Sequence, residues 1–164
     1  MIQEEDVFDA VRRGFNDLEE LSNDEIFEYF ENIESESISG YVSNIKGILF
    51  ELEYVEKLER EGIHAEMFEA TNHPLTDIAI FEDGEIVNEL QLKATESVSY
   101  INATLNENPD IVIVATSEVA QKIGSDMVID SGIEEAALES VISDTLFPIS
   151  PIGIGIGLLT GFFF

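Results

Sequence analysis

The sequence predicts an α/β fold: a central sheet with helices on both faces, a helical segment ahead of it and an apolar tail behind. Three observations predict this. Apolar residues recur at helical spacing over residues 41–61, strand-like runs follow Gly62, and helical and strand patterns then alternate as far as residue 146. Hydrophobic residues make up 45% of the 164 residues, enough to bury a core although 26% are charged. The length suits one domain with appendages.

The first segment reads as two short amphipathic helices, 5–21 and 24–33, with Ser22 and Asn23 as capping residues between them. Residues 34–40 read as a linker. From Tyr41 to Glu61 the residues Ile45, Ile48, Leu49, Leu52, Val55 and Leu58 form a helical stripe, and Gly62 ends it. Strands are expected at 64–68, 76–81 and 85–94, the last two joined by a turn through Glu82, Asp83 and Gly84. A helix at 97–105, an apolar strand at 110–115 and helices at 117–123 and 133–146 complete the order. The domain organisation is therefore an acidic helical extension over 1–39, a main domain over 40–146 and a tail over 147–164.

Charge narrows the function classes. Thirty-five Asp and Glu face seven Lys and Arg, a net charge of −28. The excess is spread evenly: −11 over 1–39, −9 over 40–97 and −8 over 98–164. Such a surface repels phosphate at long range, which argues against nonspecific DNA binding through a basic patch. It suits a salty cytoplasm, a basic protein partner, or a site where divalent cations reverse the local sign. The absence of cysteine excludes a disulfide framework, a thiolate zinc site and a cysteine nucleophile. The N-terminus lacks the basic and apolar regions of a signal peptide, so cytoplasmic synthesis without cleavage is expected.

The chemistry-bearing residues lie between residues 46 and 93. On the helical wheel Glu51 falls within the apolar arc and Glu53 outside it, although Glu56 and Glu59 also fall inside, so the wheel alone does not single out Glu51. In the third strand, period-2 alternation places Val87, Glu89, Gln91 and Lys93 on one face. Asp77, early in the preceding strand, joins that face only in one register. A two-residue turn pairs it with Leu90, on the opposite face; a three-residue loop pairs it with Glu89, beside Gln91 and Lys93. The second register is expected, because it assembles a site. Lys93 is the only base between Arg60 and Lys122.

In order and spacing these residues resemble the PD-(D/E)XK nuclease superfamily, nearest to Holliday junction resolvases and Mrr-type restriction enzymes. The run Lys46-Gly47-Ile48-Leu49-Phe50-Glu51 resembles the opening of that family's first helix. Asp77, followed by Ile78-Ala79-Ile80, resembles its metal-binding Asp, and Gln91-Leu92-Lys93 stands where the (D/E)-x-K signature would stand, with a Gln that Mrr-like members also carry. The resemblance covers residues 41–123 and implies a restriction-endonuclease-like mixed sheet. It also implies a DNA endonuclease dependent on Mg²⁺ or Mn²⁺. A hard cation takes oxygen ligands, so Asp77 would anchor it and Glu51 would hold it directly or through water. Gln91 would add an amide oxygen; because an amide holds a metal more weakly than a carboxylate, either Glu89 on the same face compensates or the site is degenerate. Lys93 would orient the attacking water or stabilise developing phosphorane charge. Without catalysis, the same scaffold would be an acidic module engaging a basic protein partner.

Other motifs add little. His64 and His73 show no metal-ligand spacing, and no phosphate-binding glycine loop or nucleophile elbow is present. The tail from Thr145 to Phe164 is uncharged, with Gly153, Gly157 and Gly161 four apart. Pro148 and Pro151 leave a helix of about 14 residues, roughly 21 Å and short of the ~30 Å membrane core. Membrane contact through 147–164, as in an effector delivered to another cell, and a buried strand built on Ile152, Ile154 and Ile156 both fit this pattern.

Overall fold

The computed structural model describes residues 2–68 and 76–148, so His73 and the glycine-striped tail lie outside the described residues. The chain is mixed α/β, with a five-stranded mixed sheet, flanking helices and an N-terminal helix. It packs as two compact units. One takes its described residues from 2–49 and 136–148; the other spans Phe50–Glu135.

The first unit is helical. Helix α1 (Glu4–Gly14) has three acids in its first turn and two arginines in its last, which complements the helix dipole. It ends earlier than the expected residue 21 because Phe15 turns to an extended conformation and residues 16–18 form a short 3₁₀ turn. Helix α2 (Asn23–Glu31) is capped by Ser22, whose hydroxyl accepts from the Glu25 N–H while the Glu25 carboxylate accepts from the Ser22 N–H. Arg12 links α1 to the start of α2: its guanidinium donates to the Leu21 carbonyl at 2.9 Å and to the Asn23 side chain. Within this unit Phe30 packs edge-on against Tyr41 and Phe147.

Helix α3 (Ser35–Arg60) corrects two expectations. Residues 34–40 are no linker, because the helix starts at Ser35. Its buried face is also rotated: Phe50, Glu53, Tyr54 and Leu58 are buried, while Leu52 and Val55 are only half-buried. The aromatic residues Phe50 and Tyr54 set this face. Glu53, expected outside the arc, is thus 7% exposed, whereas Glu56 and Glu59 are exposed and Glu51 is half-buried.

The second unit carries the sheet, in the order β1 (His64–Met67), β2 (Ile78–Glu82), β3 (Glu85–Lys93), β4 (Val112–Ala115), β5 (Val128–Asp130). The first three strands are antiparallel and the last two run parallel to β3. Helix α4 (Val98–Glu107), capped by the Ser97 hydroxyl, connects β3 to β4. The short α5 (Ser117–Ala120) connects β4 to β5, and α6 (Glu135–Leu146) follows. Helix α5 covers only part of the expected 117–123, and β5 was not anticipated. Residues in register across parallel strands share a face. Gln91, Ile113 and Val128 form one such row, and Lys93, Ala115 and Asp130 the next. Ile113 and Ala115 pack with Ile101 of α4 and with Val119 and Ala120 of α5, so these helices cover the face that bears Gln91 and Lys93.

Candidate functional site

The β2–β3 hairpin determines what stands beside Asp77. Its loop is the two-residue Asp83-Gly84 turn, with both φ angles positive (52° and 80°), and Glu82 pairs with Glu85. This is a type I′ turn, whose twist matches the flanking strands. The expected three-residue loop is therefore wrong. The register does not stay that of the two-residue turn, however. Phe81 pairs with Ile86 but Ile80 pairs with Asn88, so β3 has one extra residue, Val87, at a bulge. Beyond the bulge Ala79 lies opposite Glu89 and Ile78 opposite Leu90. Asp77 is thus not the partner of Glu89; it stands just ahead of β2, whose paired register ends at Ile78 and Leu90.

Backbone and side-chain hydrogen bonds fix Asp77 there. Its N–H donates to the Leu90 carbonyl at 2.8 Å, its carbonyl accepts from the Phe68 N–H, and its Oδ2 accepts from the Leu92 N–H at 2.8 Å. Burial raises the Asp77 carboxyl above its usual pKa, opposed by the Leu92 hydrogen bond and by the positive charge of Lys93. Oδ1 has no hydrogen-bond partner among the described residues.

Gln91 is 8% exposed, and its side-chain oxygen is buried without a hydrogen-bond partner among the described residues. Such an atom costs about 1–3 kcal/mol relative to a satisfied one. Lys93 is half-buried, and its Nζ donates to the Tyr100 hydroxyl at 3.1 Å. Glu89 is exposed, and its carboxylate accepts from the Thr76 hydroxyl at 2.8 Å. Glu51 comes from α3 and not from the sheet.

Asp77 is therefore tied to the β3 backbone on either side of Gln91 and lies within reach of the Lys93 charge, while Glu89 is tied to Thr76 and Glu51 stands on a separate element. Thr76 and Tyr100 were not among the residues singled out from the sequence. Tyr100 had one legible signal: it occupies the first turn of the helix that directly follows the Lys93 strand. His64, at the start of β1, stacks on Phe81 and lies 2.8 Å from Glu66.

Oxygen atoms are the ligands that a hard cation takes. Asp77 offers an anionic oxygen, and Gln91 a neutral one without a hydrogen-bond partner among the described residues. No helix among the described residues is long and apolar enough to cross a membrane. No family model, curated protein or solved structure matches this chain.

Proposed function

We propose that the chain is a divalent-metal-dependent nuclease of restriction-endonuclease-like architecture, with Asp77, Gln91 and Lys93 at its centre. One observation carries this reading: the Gln91 side-chain oxygen is buried with no hydrogen-bond partner among the described residues, and the backbone N–H of the next residue, Leu92, donates to the Asp77 carboxylate. Burying an amide oxygen without a partner is unfavourable, and a ligand that accepts both oxygens offsets the cost. Mg²⁺ or Mn²⁺ held by Asp77 and Gln91 would polarise a phosphate oxygen and lower the pKa of a bound water. Glu51 and Glu89 would supply further carboxylate oxygens, directly or through water. Lys93 would orient the attacking water or balance charge developing on the phosphate in the transition state. The sequence resemblance over residues 41–123 and the mixed sheet support this reading.

The net charge favours a second reading, in which the same scaffold is an acidic module that binds a basic protein. Cleavage separates the two. Plasmid, linear, single-stranded and branched DNA, and RNA, are incubated with Mg²⁺ or Mn²⁺ beside Asp77→Asn and Lys93→Met. Metal-dependent cutting that both substitutions abolish supports the nuclease; a folded parent protein inert on every substrate favours the module.

A further inference from the structure

We infer that Tyr100 is a positioning residue for Lys93: its hydroxyl holds the ammonium clear of Asp77, so that the carboxylate stays open to a divalent cation. This rests on the metal-site reading above.

The geometry is specific. Lys93 Nζ is 3.1 Å from the Tyr100 hydroxyl but 5.1 Å from the ring centre, which places it at the hydroxyl end of the ring and not over its face. Among the described residues, Tyr100 is the only hydrogen-bond partner of this ammonium, and no ion pair joins it to Asp77. A lysine on a flexible four-carbon stem would otherwise settle on the nearest partly buried carboxylate, since charge-assisted bonds are the stronger ones. Asp77 is close enough for the Lys93 charge to act on it.

Tyr100 is also held firmly. Its N–H donates to the Ser97 cap at 3.1 Å, and its neighbour Ile101 is fully buried against Ile113 and Ala115. The ring itself is half exposed, at 50%, and so contributes little to the core. A tyrosine fixed by a cap and a core neighbour, with its hydroxyl on the lysine of the site, is placed to set where that lysine stands.

Mn²⁺ alone is the probe. Its binding is titrated calorimetrically at moderate salt, with Asp77→Asn defining the contribution of this site. Tyr100→Phe keeps the ring and removes the hydroxyl. Its Asp77-dependent Mn²⁺ affinity is expected to fall about tenfold, the equivalent of one pKa unit of competition from the released ammonium. The double variant Lys93→Met/Tyr100→Phe is expected to bind Mn²⁺ as tightly as Lys93→Met alone, because the competitor is gone. Unchanged affinity in Tyr100→Phe overturns the positioning role and leaves the metal site standing. So does a loss that persists in the double variant. Absence of any Asp77-dependent Mn²⁺ binding overturns the metal site, and this inference with it.

Discussion

The carboxylate of Asp77 accepts the backbone N–H of Leu92 at 2.8 Å, while the Asp77 N–H donates to the Leu90 carbonyl. These two bonds bracket Gln91, the residue whose amide oxygen is buried with no hydrogen-bond partner among the described residues. Asp77, just ahead of β2, is thereby tied to the β3 backbone on either side of Gln91.

Holding Asp77 in this place weakens the fold. Its pKa in the folded chain is raised above the ordinary 3.8, chiefly by burial. Between 3.8 and the folded value the native state binds more protons than the unfolded one, so stability falls as pH rises through that window and stays lower above it. Asp77→Asn removes the charge. With a chelator present, thermal melts are expected to show the variant more stable than the parent at pH 7 and equal to it near pH 3.

Divalent cations are expected to reverse that order. A cation that binds the folded state at a hundredfold excess over its Kd adds about 2.7 kcal/mol. Mn²⁺ should raise the Tm of the parent and leave that of Asp77→Asn nearly unchanged. Equal shifts in both would place the binding on other acidic groups.

The capping box of α2 is independent of the site. Ser22→Ala is expected to cost about 1 kcal/mol in chemical denaturation at pH 7. The Glu25 carboxyl, held below its usual 4.5 by the Ser22 N–H and hydroxyl, contributes stability that is present above 4.5 and lost as pH falls through the folded value. The gap between parent and Ser22→Ala should therefore narrow in acid.

Gly47 sits within α3 with open space where a Cβ would stand. Gly47→Ala should stabilise the chain by about 0.5–1 kcal/mol through helix propensity and unfolded-state entropy. A destabilised variant would reveal a close approach at this residue.

The charge of −28 predicts a salt dependence. Raising NaCl from about 0.1 M to about 1 M shortens the screening length from ~10 to ~3 Å. Repulsion among the acids should weaken and the Tm rise; a Tm insensitive to NaCl would mean that the repulsion costs the folded chain little.

Periodicity revealed the long helix, the hairpin and the alternation that groups Gln91 with Lys93. It missed the start of α3, because Ser, Glu and Gly at 35–40 have the composition of a loop and join the helix nonetheless. It missed β5 because three residues give too little pattern. That strand is held by parallel pairing to β4 and by Asp130, whose carboxylate accepts from the Ser117 hydroxyl and the Gly132 N–H. The register of Asp77 was not readable either. The loop is one residue shorter than expected, the extra residue at Val87 then shifts all pairing beyond it, and nothing in the local composition marks that bulge. Tyr100 escaped because its role depends on where α4 returns, which strand patterns do not encode.

The most direct test of the metal site is anomalous scattering from crystals of the full chain grown with Mn²⁺. The account predicts a peak about 2.1 Å from both Asp77 Oδ1 and Gln91 Oε1, absent in Asp77→Asn crystals. Manganese peaks on other carboxylates only, with Gln91 still unsatisfied beside an empty Asp77, would contradict it.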